Sequence, residues 1–391
     1  MTPEVRTRIE QIRHGNVPEG YKRTKAGLIP ASWRCEPVDT CLQIRNNERK
    51  PISDEVRKTV PGPYPYYGPT QAQGYISTYE SEGPAVLIGE DGDHFLKYKT
   101  KPMTLWIDGK YTVNNHAHML SGTEKCESRW FYYAYQFKSL LSVITRQGAG
   151  RYKLTKEALE KLPVQLPPIA EQKKIAEILT TQDKVIDLKE KLLAEKQRQK
   201  KYLMQQLLTG KKRLPGFEGE WETAKSVFDF KKGEQINGIE LNDTFCYPMY
   251  NGGVTYSGYT RNTNCENAII ISEGGNSCGF VNYVDGKFWA GGHCYYVTHS
   301  KLPYSYLYQL LKLKEPYIMS MRVGSGLPNI QKSALECLEL TYPVDLAEQK
   351  AIAHILIAAD REIDLLHQDI EQEKQKKKAL MQLLLTGIVR V

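Results

Sequence analysis

Ala170-Glu171-Gln172-Lys173 opens a stretch that closes on Leu203-Met204-Gln205-Gln206-Leu207-Leu208-Thr209-Gly210, and the stretch occurs twice. Its second copy runs from Ala347-Glu348-Gln349-Lys350 to Leu380-Met381-Gln382-Leu383-Leu384-Leu385-Thr386-Gly387. Every matched residue lies 177 positions further on, so neither copy has gained or lost a residue. A repeat of this kind decides the architecture before any other signal. Residues 169–208 hold no proline or glycine and are rich in Leu, Ala, Glu, Gln and Lys, which favour helix. Apolar residues recur at Ile175, Leu179, Ile186, Leu193, Leu203 and Leu207, and at Ile352, Leu356, Ile363, Ile370, Leu380 and Leu384. That is the narrow seam of a coiled coil rather than the broad stripe of a core helix. Gln182, Lys189, Lys196 and Lys200 interrupt the first seam, and Glu373 and Lys377 the second; such polar positions fix register and partner. About forty residues at 1.5 Å each predict rods of roughly 60 Å. Thr-Gly is a helix stop. Two seams of equal length in one chain pair most simply with each other; a plain dimerisation coil is the alternative.

A length of 391 residues predicts two to three domains, and 41% hydrophobic with 25% charged residues is the balance of a soluble globular protein. The first fifteen residues are polar and charged, and no run approaches 18 apolar residues, so neither a secretory leader nor a membrane span is expected. Eight cysteines form no Cys-x-x-Cys pair, which points to reduced thiols in the cytoplasm, with no metal site. A net charge of +8 favours an anionic partner without naming one.

Residues 1–33 read as an N-terminal helix and connector. Ile9-Glu10-Gln11-Ile12-Arg13-His14-Gly15 resembles Met204 to Gly210 in spacing, and each glycine leads through a basic stretch to a tryptophan, Trp33 or Trp221. The chain therefore begins where a repeat would have ended, as a cycle opened at one point would; a frayed terminal helix is the bland alternative. Residues 34–165 and 222–342 form two globular units, joined through the helices at 166–210 and 343–391 and a connector at 211–221. Tyr64-Pro65-Tyr66-Tyr67-Gly68 matches Tyr247-Pro248-Met249-Tyr250-Asn251. The run from Ala85 to Gly92 matches Ala268 to Gly275, and Asn115-His116-Ala117-His118 matches Gly292-His293-Cys294-Tyr295. Short β-rich runs bounded by Gly, Pro and Asn, with single helices over 130–141 and 304–313, make each unit α+β. Residues 45–50 have no counterpart in the second unit. A shared scaffold with different loops suits two readers of different sequences.

Chemistry is conspicuous by what is missing. There is no Asp/Asn-Pro-Pro-aromatic run of an amine methyltransferase and no phosphate-binding G-x-x-x-x-G-K-[ST]. Gly148-Ala149-Gly150 and Gly324-Ser325-Gly326 suit turns. His94, His116 and His118 could be drawn as a metal site and Glu90-Asp91 with Asp93 as a nuclease cluster, but the second unit keeps only His293 and Glu273 there. No catalytic residue is expected. Binding remains, with Asn, Gln, Arg, Lys and 25 tyrosines available to touch phosphates and base edges. Candidate base contacts are Asn46, Asn47, Arg49, Gln71 and Gln73 in the first unit and Asn237, Asn251, Tyr256 and Asn276 in the second. His116 and His293 are further DNA-contact candidates, and Lys153 and Arg322 beside the Gly-x-Gly turns are phosphate candidates.

Together these residues resemble the specificity subunit of type I restriction–modification systems. The resemblance is carried by Leu166-Pro167-Pro168-Ile169-Ala170-Glu171-Gln172-Lys173 and its copy at Tyr342 to Lys350, by the Leu-Leu-Thr-Gly helix ends, and by Gly216-Phe217-Glu218-Gly219-Glu220-Trp221. It implies two target recognition domains separated by an antiparallel helix pair that sets the distance between the half-sites. It implies double-stranded DNA as ligand, two modification subunits docked on the helices, and possible restriction subunits. S-adenosylmethionine and ATP would sit on those partners and no cofactor on this chain. A non-catalytic coiled-coil scaffold whose flanking domains bind protein or glycan is the competing reading.

Overall fold

A computed structural model describes residues 2–146, 151–236, 245–324 and 328–391. It divides into two compact units, residues 1–188 with 370–391, and residues 189–369. The repeated stretches are continuous helices, Ile169–Leu207 and Leu346–Leu385, and each unit contains part of both. Among the described residues no helix is long and apolar enough to cross a membrane.

Within each unit the two helices run antiparallel. In the first, Gln182 donates to the Glu373 carboxylate at 2.6 Å and Lys377 pairs with Asp183 at 2.6 Å. In the second, Lys189 meets Asp369 at 2.9 Å, Lys196 meets Glu362 at 2.7 Å, and Lys200 meets Asp360. In the second unit residue numbers rise on one helix as they fall on the other, and in the first Glu171 meets Arg390 while Gln182 meets Glu373. The polar residues that interrupt the seams are therefore the groups that join the helices. The apolar seam is less continuous than its period suggests. Ile175, Leu179 and Leu384 are buried, but in a core shared with Trp33, Trp130 and Phe131; Leu207, Ile352 and Leu356 join Leu307, Leu310 and Leu340. Ile186 and Ile370 are buried, whereas Leu193, Leu203, Ile363 and Leu380 are only half-buried. Globular domains, as much as the facing helix, bury the ends of each rod.

Each long helix stops at a glycine with positive φ, 69° at Gly210 and 67° at Gly387. The amide two residues further on closes the end, Lys212 N–H onto Gln206 O and Val389 N–H onto Leu383 O, both 3.1 Å. The contacts beyond each stop are also repeated. Arg213 grips Glu348 through two bonds of 2.6 and 2.7 Å and lies over Trp221. Arg390 grips Glu171 and lies over Trp33. The N-terminal segment thus serves the second helix end as residues 211–221 serve the first. Arg8 donates to Ile388 O, and Tyr21 Oη donates to Gly387 O, both at 2.6 Å.

The two globular parts share a ladder register. In the first unit Gly89 lies opposite Ala117 and Ile88 opposite both His118 and Thr104. In the second Ser272 lies opposite Cys294 and Ile271 opposite both Tyr295 and Val281. The parallel pairs Tyr67–Val113 and Tyr250–Ala290 also correspond. The residues of the Gly89–Ala117 and Ser272–Cys294 pairs fall within the stretches that match in sequence. One difference is local: Thr104–Ile107 and Lys110–Val113 are separate strands in the first unit and one strand, Val281–Ala290, in the second.

Two expectations need correction. The helix placed at 130–141 is Ser128–Tyr135, because Met103 N–H takes the Gln136 carbonyl. The helix at 304–313 extends over Tyr304–Ser320 and carries Pro316 inside it. Residues 45–50 are a local difference between the units. Gln43–Ile44 and Phe228–Lys232 pair with equivalent strands, and the first unit adds a 3₁₀ turn at Asn46–Glu48.

Alanine at either helix stop meets the left-handed backbone penalty, about 1 kcal/mol. At Gly387 an added Cβ also runs into the Pro30 ring, whereas at Gly210 it meets only the Trp221 face at 3.2 Å. Urea unfolding should therefore show Gly387→Ala to be more destabilising than Gly210→Ala, by about 1 kcal/mol or more.

Candidate nucleic-acid interface

Each unit has a glutamate just past the end of its central strand, Glu90 after Ala85–Gly89 and Glu273 after Cys265–Ser272. Their backbones are held alike. Glu90 N–H donates to His116 O and Glu90 O accepts from Leu154; Glu273 N–H donates to His293 O and Glu273 O accepts from Ile330. The carboxylates are sheltered, 16% and 14% exposed, and an unpaired charge there would be costly. Glu90 is met by Arg49 at 2.6 Å and by Lys153 at 3.3 Å. Burial opposes ionisation of Glu90, but the Arg49 and Lys153 bonds outweigh it and hold the carboxyl below the usual carboxylate range. In the second unit Glu273 is met by Lys232 at 2.6 Å and accepts from Tyr295 Oη at 3.1 Å. Burial pushes the Tyr295 hydroxyl up to about 12.

Several residues chosen as base readers belong to this framework. Asn46 donates from Nδ2 to His118 Nδ1 at 2.9 Å and accepts from Met119 N–H at 3.1 Å. Arg49 also binds the carbonyls of Asn46 and Ala117, at 3.0 and 3.1 Å. His118 is buried, which lowers its pKa below the ordinary histidine range, and its Nε2–H donates to Leu154 O at 2.8 Å. Asn47, Gln71 and Gln73 are exposed or half-buried, as are Tyr256, Asn276, His293 and Arg322 in the second unit. Asn237 lies outside the described residues, as do Gly148 to Gly150, Ser325 and Gly326.

Asn114, which no sequence motif marks, joins two of the candidates. It is 4% exposed. Its Oδ1 accepts the His116 amide at 2.9 Å, and its Nδ2 donates to Gln73 Oε1 at 3.0 Å. The second unit has Gly291 at this ladder position and places Asn251, the counterpart of Gly68, against it. Asn251 Oδ1 accepts the His293 amide at 3.0 Å. A Cβ on Gly291 would lie 2.5 Å from that oxygen, and one on Gly68 would strike the Gln73 amide. One asparagine and one glycine have exchanged strands, and the histidine amide keeps its partner. The aligned pairs Gly68/Asn251 and Asn114/Gly291 carried that signal.

Beyond this framework the rims differ. In the first unit Thr70, Gln73, Asp91, His94, His116 and Arg151 line a cleft of about 320 Å³. Burial lowers the His94 pKa, and its ring occupies space above Gly89. In the second unit Ser272 and Ser277, at the places of Gly89 and His94, both donate to Gly252 O, so the loop folds inward. Among the described residues no His, Cys, Asp and Glu side chains converge as metal ligands.

Comparison with known proteins decides the family. A family model described as "Type I restriction modification DNA specificity domain" matches residues 40–197 and again 218–375. The chain belongs to that family. A type I restriction enzyme specificity subunit named in Haemophilus influenzae is 37% identical over 148 residues, 38% of this chain and 36% of the relative. The chain thus spans about a third of that relative's length. One named in Methanocaldococcus jannaschii is 24% identical over 428 residues, 95% of this chain and 97% of the relative. Among solved structures, a type I restriction–modification S subunit from M. genitalium superposes with a TM-score of 0.71 at 15% identity, over 90% of this chain and 96% of that one. That likeness supports the specificity-subunit fold.

The exchange between Asn114 and Asn251 can be transplanted. Asn114→Gly should destabilise the first unit by about 1–2 kcal/mol, for two hydrogen bonds lost. Adding Gly68→Asn should restore about 1 kcal/mol by supplying the His116 amide from the other strand. A double variant no more stable in urea than the single would show that the two positions are not interchangeable.

Proposed function

We propose that this chain is the DNA-reading subunit of a type I restriction–modification complex. Each unit reads one half of a bipartite duplex, and the paired helices set the unread spacer and dock two modification subunits. The observation that carries this reading is the common ladder register beneath two different rims, the arrangement that two readers of unlike sequences need. Exposed Arg322 and the Arg151-lined cleft offer phosphate and base contacts, and the net charge of +8 favours a polyanion. The chain itself is non-catalytic. Methyl transfer and ATP-driven cleavage belong to cytoplasmic modification and restriction subunits, which hold S-adenosylmethionine and ATP.

The test is exchange. With methylated adenines mapped in host DNA, residues 34–165 are replaced by the equivalent segment of a relative. One half of the mapped site should change and the other should stay. Binding of the duplex should weaken steeply with salt, by roughly 0.9 log units per log unit of salt for each phosphate contacted. Both halves changing together would refute separate readers. Binding indifferent to salt would favour the scaffold for protein or glycan.

Helix length gives a second test. Lys189–Asp369 and Lys196–Glu362 show that Ala194 faces Asp364. A heptad inserted after Ala194 and another after Ile363 therefore preserve both pairs. Seven residues add about 10 Å, so the preferred spacer should grow by about three base pairs. An assembled variant that keeps the original spacer would show that the helices do not set it.

A further inference from the structure

The cleft of the first unit contains a hydrogen-bond chain whose polarity can be worked out atom by atom. The Asp91 carboxylate only accepts, so the proton it shares with His116 Nδ1, at 2.8 Å, belongs to the imidazole. In the neutral imidazole His116 Nε2 is then a lone pair. It has no hydrogen-bond partner among the described residues, and the side chain is 46% exposed on the cleft wall. A second chain starts from the His116 backbone N–H, which can only donate. Asn114 Oδ1 receives it, Asn114 Nδ2 must donate, and Gln73 Oε1 must accept. Gln73 is left with its Nε2 donor. The rim thus shows an acceptor at residue 116 and a donor at residue 73, both oriented from behind by buried or half-buried groups.

In the major groove, adenine N6 and cytosine N4 donate, whereas guanine O6 and thymine O4 accept. A lone pair held at His116 Nε2 is attracted by the first pair and repelled by the second. We infer that His116 is a specificity-determining residue of the first unit, reading the exocyclic amino group of an adenine or cytosine, with Asp91 as the positioning residue that fixes its tautomer. The second unit cannot do this in the same way. Its equivalent of Asp91 is Gly274, so no carboxylate from that position orients His293. The inference rests on the DNA-reading function proposed above and adds the class of base and the atom that reads it.

The experiment uses the full chain in complex with its modification subunits and begins from a pool of duplexes randomised over both half-sites. Each adenine in the selected first-unit half-site is then replaced by unsubstituted purine, and each cytosine by pyrimidin-2-one, which removes the amino group alone. At one position the wild-type complex should lose affinity on the order of tenfold. His116→Ala should show no such loss there, while both proteins respond equally at all other positions. Whether that position is a purine or a pyrimidine distinguishes adenine from cytosine. Asp91→Asn lets either ring nitrogen carry the proton. It should reduce the preference for an amino-bearing over an oxo-bearing base at that position and leave the base preferences at all other positions of both half-sites in place, an outcome that loss of folding would not produce. Equal amino-deletion losses in wild type and His116→Ala at every position would overturn the assignment. Failure of the wild-type complex to enrich any sequence would instead remove the DNA-reading function.

Discussion

Two ion pairs fix the sense of the helix pair, and the rest of the architecture depends on them. Glu348 stands in the first turn of one long helix and is wholly buried; the arginine that neutralises it, Arg213, comes just after the other helix has ended. Glu171 and Arg390 repeat the arrangement with the roles of the helices exchanged. A buried carboxylate deprived of its cation is strongly unfavourable, so each helix start is bound to the opposite helix's finish. A parallel pairing would separate each glutamate from its arginine by most of a 39-residue helix, roughly 58 Å. Antiparallel packing is therefore required by charge before any apolar contact is counted.

The two units show how far a framework can be conserved while its residues are not. The constant part is a set of backbone bonds: the central-strand glutamate between a histidine carbonyl and a returning amide, and an asparagine oxygen on the histidine N–H. The variable part is which strand supplies the asparagine, and whether the neighbouring space holds an imidazole or two serines. Because the fixed bonds lie beneath the rim and the variable groups on it, the rim can change without disturbing the sheet. Separable recognition needs that division.

The repeat made most of this legible. A 177-residue offset with no internal gap located both helices, and the matched stretches at 85–92 and 268–275 marked the two units as related. Polar residues were harder to place. Asn46, Arg49 and Asn251 sit in loops between strands and have the side chains that read bases. In the fold they face inward, onto His118, Glu90 and the His293 amide, because buried donors and acceptors must be satisfied. Composition cannot distinguish a side chain that turns back from one that turns out. Helix ends were misjudged for a related reason: whether Gln136 continues a helix depends on the distant Met103 amide that claims its carbonyl.

The helix pair is fastened in two different ways along its length. Near the globular cores the contacts are apolar, at Ile175, Leu179 and Leu384 in one unit and Leu207, Ile352 and Leu356 in the other. Away from them, beside buried Ile186 and Ile370, the fastening is mainly by charge: Lys377 with Asp183, Lys189 with Asp369, and Lys196 with Glu362. Counter-ions screen the second kind and leave the first almost untouched. The inner turns should thus breathe at ionic strengths that leave the outer turns closed, and their amides should exchange with solvent first. Stiffness in this element is a property of the surrounding electrolyte as much as of the chain.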